Sequence, residues 1–210
     1  MTISRQKKAR EPISRHQEKT DITRARLLQA AEKIFARSGF EAAKLEEIAA
    51  AAGYTRGAFY ANFESKEDLF FALLEREITF RIENLRKHVA QHEDPSKKLA
   101  ALREFWLNMC LDRRWSLLAM EFKLFALRHP DVKARLAAMH RRLVASGVEI
   151  LQQIMDDLGR KLPVSSYSVG MAFFALSSSL TAQHMLDRAG MPEDAVREIM
   201  IRFFNAITAG

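Results

Sequence analysis

The chain has 210 residues, 48% hydrophobic and 28% charged, which suits one large or two modest folded domains and excludes a disordered chain. Eight Gly and five Pro are too few for a sheet-rich protein, no apolar run in the sequence reaches the 18 residues of a membrane span, and the single Cys110 excludes an internal disulfide or an all-cysteine metal cage. The net charge of +7 is uneven: residues 1–66 carry 13 Lys/Arg against 8 Asp/Glu and the remainder 20 against 18, so a polyanion partner is expected at the N-terminal end.

Residues 1–19 hold six basic and two acidic side chains without apolar periodicity. They lack the apolar stretch of a signal peptide and are expected to form a flexible basic tail, either simply solvated or touching DNA as an arm. From Thr23 onward Leu27, Leu28, Ala31, Ile34 and Phe35 fall at helical spacing, and Gly39 with Phe40 reads as a left-handed helix stop with its hydrophobic contact. Leu45, Ile48, Ala49 and Ala52 predict a short second helix ended by Gly53. Thr55 is placed to N-cap a third helix of about seven residues, and Ser65 with Asp68 reads as a capping box that opens a longer fourth helix. Two short helices separated by a glycine turn are a helix-turn-helix. The expected domains are the tail at 1–19, a DNA-binding unit at 20–66 and a helical bundle at 67–210.

The stretch "GYTRGAFYANFESKEDLF" (53–70) interleaves aromatic rings with small, polar and basic residues. On a helical wheel Phe59 and Phe63 fall within about 40° of each other and belong to the core. Gly57, Tyr60 and Ala61 fall on the opposite side, flanked by Arg56 and Ala58. A helix with so small an outer face can lie deep in a major groove, where backbone and methyl groups reach base edges. Tyr60, Asn62 and Lys66 are then candidates for phosphate contacts, Lys66 in the first turn of the fourth helix, where an anion is favoured.

The run from Thr23 to Leu74, through "RARLLQAAEKIFARSGF", "LEEIAAAAG", "TRGAFYANF" and "SKEDLF", resembles the DNA-binding domain of the tetracycline-repressor (TetR) family of bacterial regulators. The resemblance implies an all-α protein: a three-helix helix-turn-helix domain followed by a helical bundle for ligand binding and dimerisation. It implies a homodimer on a pseudo-palindromic operator in double-stranded DNA, released when a small-molecule inducer changes the separation of the recognition helices. By position, Arg56 and Gly57 match residues that meet bases, and Tyr60 and Lys66 match residues that meet phosphates. Lys44 replaces a threonine frequent in the family before the second helix, which removes a capping hydroxyl but leaves an ammonium for a phosphate. Ala61 and Asn62 stand where bulkier residues are common, so Arg56 becomes the main expected reader of guanine and shape readout is expected to carry part of the specificity.

Beyond residue 88, breaks near "HEDPS", "RHPD", "GRKLP" and "AGMPED" predict about five more helices, with Pro95, Pro130, Pro163 and Pro192 at helix starts. Trp106, Met109, Phe122, Phe125, Met171 and Phe174 are candidates to line a cavity for an apolar or aromatic ligand, though each also reads as plain core. His140, Gln183 and His184 are candidate polar groups within the bundle. The final two predicted helices, 164–188 and 193–208, resemble the family's dimerising pair. Phe173, Ser177, Met185, Phe203 and Phe204 are the candidate seam, and Ser178, Ser179 and Ala182 allow close approach.

An enzyme is the competing class. No HExxH, glycine-rich phosphate loop, paired ExxH helices or activated nucleophile is present in the sequence, and the i, i+4 pair His88 and His92 has no third metal ligand at a clear spacing. A third reading is a chromosome-organising or interaction protein that uses the same DNA domain without a ligand switch. The expectation is a non-enzymatic, cytoplasmic, ligand-released repressor without cofactor, metal or membrane partner.

Overall fold

The computed structural model describes residues 15–209. Among them the chain is helical throughout, in the order α1 (Arg15–Ser38), α2 (Leu45–Ala51), α3 (Arg56–Tyr60), α4 (Lys66–Ala90), α5 (Pro95–Leu111), α6 (Arg113–Arg128), α7 (Pro130–Asp157), α8 (Ser166–Leu186) and α9 (Glu193–Thr208). No described helix is long and apolar enough to cross a membrane.

Helix α1 begins eight residues before the start that its apolar spacing marks at Thr23. Its first two turns are polar and solvent-facing, held by local bonds such as Gln17 Nε2 to Asp21 Oδ1 at 3.0 Å and Thr23 Oγ1 to the Lys19 carbonyl at 2.9 Å. An all-polar turn leaves no periodicity to detect. The expected tail therefore overlaps the start of α1 at Arg15, and its residues 1–14 lie outside the described part. At the other end Gly39 adopts φ +78° and donates to the Phe35 carbonyl at 2.9 Å, while Phe40 folds back to place its ring 5.5 Å from that of Phe35. Glycine is suited to this left-handed turn because it has no Cβ to clash.

The expected caps of the short helices are present. Thr55 Oγ1 accepts from Ala58 N at 3.3 Å, and Lys44 precedes α2 without a side-chain cap. Ser65 Oγ accepts from Asp68 N at 3.1 Å, but the Asp68 carboxylate reaches back to Glu64 N rather than to the cap residue's own N–H. Helix α3 is five residues long, shorter than the predicted seven.

In the bundle, Pro95 and Pro130 open α5 and α7 as predicted. Pro192 is instead the N-cap of α9, and Pro163 lies ahead of the true cap of α8, Ser165. The break between α5 and α6 carries neither Gly nor Pro. Asp112 makes it, its carboxylate accepting from Trp115 N at 3.0 Å. An N-cap aspartate inside an unbroken apolar pattern is a weak sequence signal, which is why the boundary is absent from the prediction.

Two cores hold the elements together. One joins α1–α4 to α6 and α7 around Phe35, Phe40, Phe70, Phe122 and Phe125. Phe70 stacks on Phe122 at 3.6 Å, and Phe40 packs against Phe125 at 4.4 Å between centroids. The other joins the C-terminal half of α4 to α5, α7, α8 and α9, centred on Trp106, Phe173 and Phe204. Helix α8 meets α7 closely at Gly170, where an added Cβ would stand 2.5 Å from Val148 Cγ2.

Candidate nucleic-acid interface and ligand cavity

Phe59 and Phe63 are fully buried, and they fix the rotation of α3. Arg56, Gly57, Tyr60 and Ala61 are consequently exposed on one outward face beside Thr55, with Ala58 half-buried at its edge. Among the described residues a Cβ at Gly57 would meet only Thr55 Oγ1, at 3.8 Å. Lys44 lies exposed at the start of α2.

Arg56 has partners that spacing alone does not reveal. Its guanidinium pairs with Glu46 of α2 at 2.9 Å, and one N–H points to the Tyr60 hydroxyl at 3.4 Å. The Tyr60 hydrogen bond and charge, followed by Glu46, raise its pKa above the usual arginine value. Glu46 thus competes with DNA for the principal candidate base reader. Its position one helical turn from Ala50 on the exposed side of α2 is a signal the sequence carries, but the wheel of α3 alone does not.

Two candidate phosphate contacts are placed differently from the expectation. The Lys66 ammonium donates to the carbonyls of Phe40 at 2.8 Å, Glu41 at 3.1 Å and Ala43 at 3.1 Å, over the Phe40 ring. An ammonium has three donors, and all three are spent on the loop between α1 and α2. In this structure Lys66 is therefore a clamp within the domain, a role its position in the sequence does not reveal. Asn62 also turns inward: Nδ2 donates to the Ala58 carbonyl at 2.8 Å, while the Asn62 backbone carbonyl accepts from Arg24, whose guanidinium lies 4.1 Å from the Phe63 ring centre.

The other face of the Lys66 clamp is held by α6. Glu121 accepts from Phe40 N at 2.9 Å, so the α1–α2 loop is gripped from α4 and from α6. Helix α6 then turns its opposite side to a cavity of about 480 Å³ bounded by α4, α7 and α8. Trp115, Ala119, Phe122 and Ala126 line it at i, i+4, i+7 and i+11, facing Leu136, His140 and Phe174. Of the sequence candidates, Phe122 and Phe174 line this space. Trp106 and Met109 border a gap of about 30 Å³ between α5, α7 and α8, and Met109 also borders a second gap of about 30 Å³ beside Cys110 and Ser177, each with little more room than a water needs. Phe125 is buried against Phe40, and Met171 borders neither space. Trp115, missed among the candidates, belongs to a stripe that its helical spacing exposes once the α5–α6 break is known.

The candidate seam also divides. Phe173, Ser177 and Phe204 are buried within the chain, Phe173 4.4 Å and Phe204 5.7 Å from the Trp106 ring. Met185 and Phe203 are half-buried, next to exposed Leu186 (83%) and Ile199 (37%). Gln183 is exposed and His184 Nδ1 lies 2.9 Å from the Met191 carbonyl. His88 and His92 are 6.4 Å apart between ring centres, and no group of three metal-ligating side chains occurs among the described residues.

The model for "Bacterial regulatory proteins, tetR family" matches residues 27–73. The HTH-type transcriptional activator FasR of Mycolicibacterium smegmatis is 33% identical over 88 residues, 42% of this chain and 40% of that protein. The HTH-type transcriptional repressor BepR of Brucella suis is 39% identical over 74 residues, 35% of each chain. The aligned part thus spans less than half the length of these relatives. Over the whole fold, a chain from Saccharomonospora viridis solved in complex with choline superposes with a TM-score of 0.74 at 18% identity, covering 88% of this chain and 96% of that one.

Proposed function

We propose, from the premise that the chain belongs to the TetR family of DNA-binding transcriptional regulators, that it is a homodimeric repressor released from a pseudo-palindromic operator by a small ligand. The observation that carries this reading is the division of α3. Its Phe59 ring is buried, with that of Phe63 just beyond its end, and its outward face is reduced to Arg56, Gly57, Tyr60 and Ala61. Such a face lets the helix backbone approach base edges, with Arg56 donating to guanine, Ala61 against a thymine methyl, and Thr55, Tyr60 and Lys44 at the flanking phosphates.

Dimerisation is supported by the outer sides of α8 and α9. Ala175, Ser179 and Leu186 are exposed on one helix, Ile199 on the other beside half-buried Phe203, an apolar surface with small residues that suits pairing with a second copy. Two copies would present α3 to successive major grooves about 34 Å apart. The cavity supports ligand release, because its α6 wall also carries Glu121, Phe122 and Phe125 to the DNA-binding end. A ligand that favours one placement of α6 would shift the population of recognition-helix spacings. One matched relative is named an activator and another a repressor; the repressing sign is the proposal's own.

Selection of binding sites from random duplex DNA with the purified chain tests the reading. The expected product is a two-fold symmetric site whose affinity falls steeply with salt. Sequence-blind binding would overturn it in favour of a chromosome-organising protein.

A further inference from the structure

The cavity between α6 and α7 has an apolar wall, yet its charged groups are all of one sign. Lys123, Lys133 and Arg141 border it together with His140 and Tyr167, and among the described residues no Asp or Glu does. Lys133 and Arg141 are exposed at the mouth, as basic side chains commonly are. Lys123 is not. It lies half-buried on α6, its Nζ donating to Ser178 Oγ at 3.2 Å and standing 5.3 Å from the Phe174 ring centre.

No carboxylate pairs with Lys123 among the described residues. Burial lowers its pKa below the usual lysine value, and burial together with the Lys123 charge lowers that of His140, whose ring packs edge-on to Phe174 at 4.6 Å. A half-buried ammonium among aromatic rings with one hydroxyl partner is an unbalanced charge, and the fold supplies nothing to neutralise it. An occupant that brings one negative charge on an apolar body corrects this. A cationic occupant would meet three basic groups and no acid. A neutral one would leave the ammonium as it is.

Resting on the reading of this cavity as the ligand site, we infer that it takes an amphipathic monocarboxylate, with the apolar body against Trp115, Phe122 and Leu136 and the carboxylate on Lys123. Only one basic side chain is drawn into the interior, which matches a single negative charge better than a dianionic phosphate.

The 210-residue chain holds two Trp, so Trp106→Phe leaves Trp115, on the cavity wall, as its indole reporter. Decanoate, decanol, decyltrimethylammonium and decyl phosphate are titrated against its emission below their micelle concentrations, with calorimetry on the unsubstituted chain as a second readout. Decanoate is expected to bind at least tenfold more tightly than the others, and Lys123→Gln to bring it to the level of decanol without weakening decanol. Equal binding of decanol, tighter binding of decyl phosphate, or a carboxylate preference that survives Lys123→Gln overturns the inference. The selected operator separates the two readings. Decanoate that binds without lowering DNA affinity leaves the carboxylate site standing and removes the ligand switch. Decanol that releases DNA as well as decanoate does the reverse.

Discussion

The direction of a side chain and its occupation are different properties, and residues 56–66 separate them. Helical phase dictates that Phe59 and Phe63 turn inward and Arg56, Gly57 and Tyr60 outward, so those directions were legible in the sequence. Partners at distant positions were not. Lys66 is committed to three carbonyls of the loop after Gly39, and its charged hydrogen bonds are worth about 1.5–3 kcal/mol where they replace solvent. Lys66→Met is therefore expected to lower unfolding stability by about 2 kcal/mol, while the salt dependence of DNA binding stays as in the parent. A denaturant titration beside a salt titration checks both, and a reduced salt slope with unchanged stability would return Lys66 to the phosphates. Glu46 makes the opposite forecast. Its pair with Arg56 is exposed and screened by solvent, so Glu46→Gln should tighten operator binding by no more than a few-fold and broaden the accepted bases opposite Arg56. Weaker binding in an anisotropy titration would show that Glu46 instead orients the guanidinium productively.

Between elements, the decisive features are close approaches and breaks. Gly170 lets α8 lie against α7 where a methyl group would overlap Val148 Cγ2 at 2.5 Å and press on Val144 Cγ1 at 3.1 Å. Both valines are β-branched and buried, with little freedom to swing aside. Gly170→Ala is expected to destabilise the chain by about 1–3 kcal/mol, despite the better helix propensity of alanine, and calorimetric melting reads the loss directly. A melting point at or above that of the parent would mean that the two helices slide apart without cost. Helix existence and type followed from apolar spacing, and the stops at Gly39 and Gly53 from their neighbours. The boundaries set by Arg15 and Asp112 did not, since one lies in a wholly polar turn and the other in an uninterrupted apolar pattern. Fixing α6 at Arg113 is also what brings Trp115 into register with the cavity, so one hidden boundary concealed part of the candidate site.

Across the molecule, a file of charges ties the DNA-binding end to the bundle. Buried Glu32 of α1 pairs with Arg76 of α4 at 2.8 Å and Arg114 of α6 at 2.9 Å; Arg76 meets Glu77 at 3.0 Å, and Arg81 meets Asp112 at 2.7 Å while covering the Trp115 ring. Burial alone would push the Asp112 carboxyl up, but the Arg81 hydrogen bond, the Trp115 N–H and the charges of Arg81 and Arg114 hold it below the usual carboxylate range. A depressed folded value means that the unfolded chain binds the proton first. The stabilisation is thus complete above the unfolded value near pH 3.9 and is lost as the pH falls through the folded one. Asp112→Asn, which keeps a capping oxygen, should cost about 1 kcal/mol at pH 7 and progressively less below about pH 4. Denaturant midpoints at the two pH values test it; a cost independent of pH would assign the effect to packing.

The continuity of the ring core has a consequence for how such proteins can be recombined. Phe40 belongs to the DNA-binding end, yet its ring rests on Phe70 of α4 and Phe125 of α6, and its amide on Glu121. The first 66 residues are accordingly no detachable cassette. Grafted onto a foreign bundle they would expose an unpaired aromatic surface and aggregate, whereas a graft that imports the matching face of α6 should remain soluble. An exchanged helix-turn-helix has to travel with the part of α6 on which it rests.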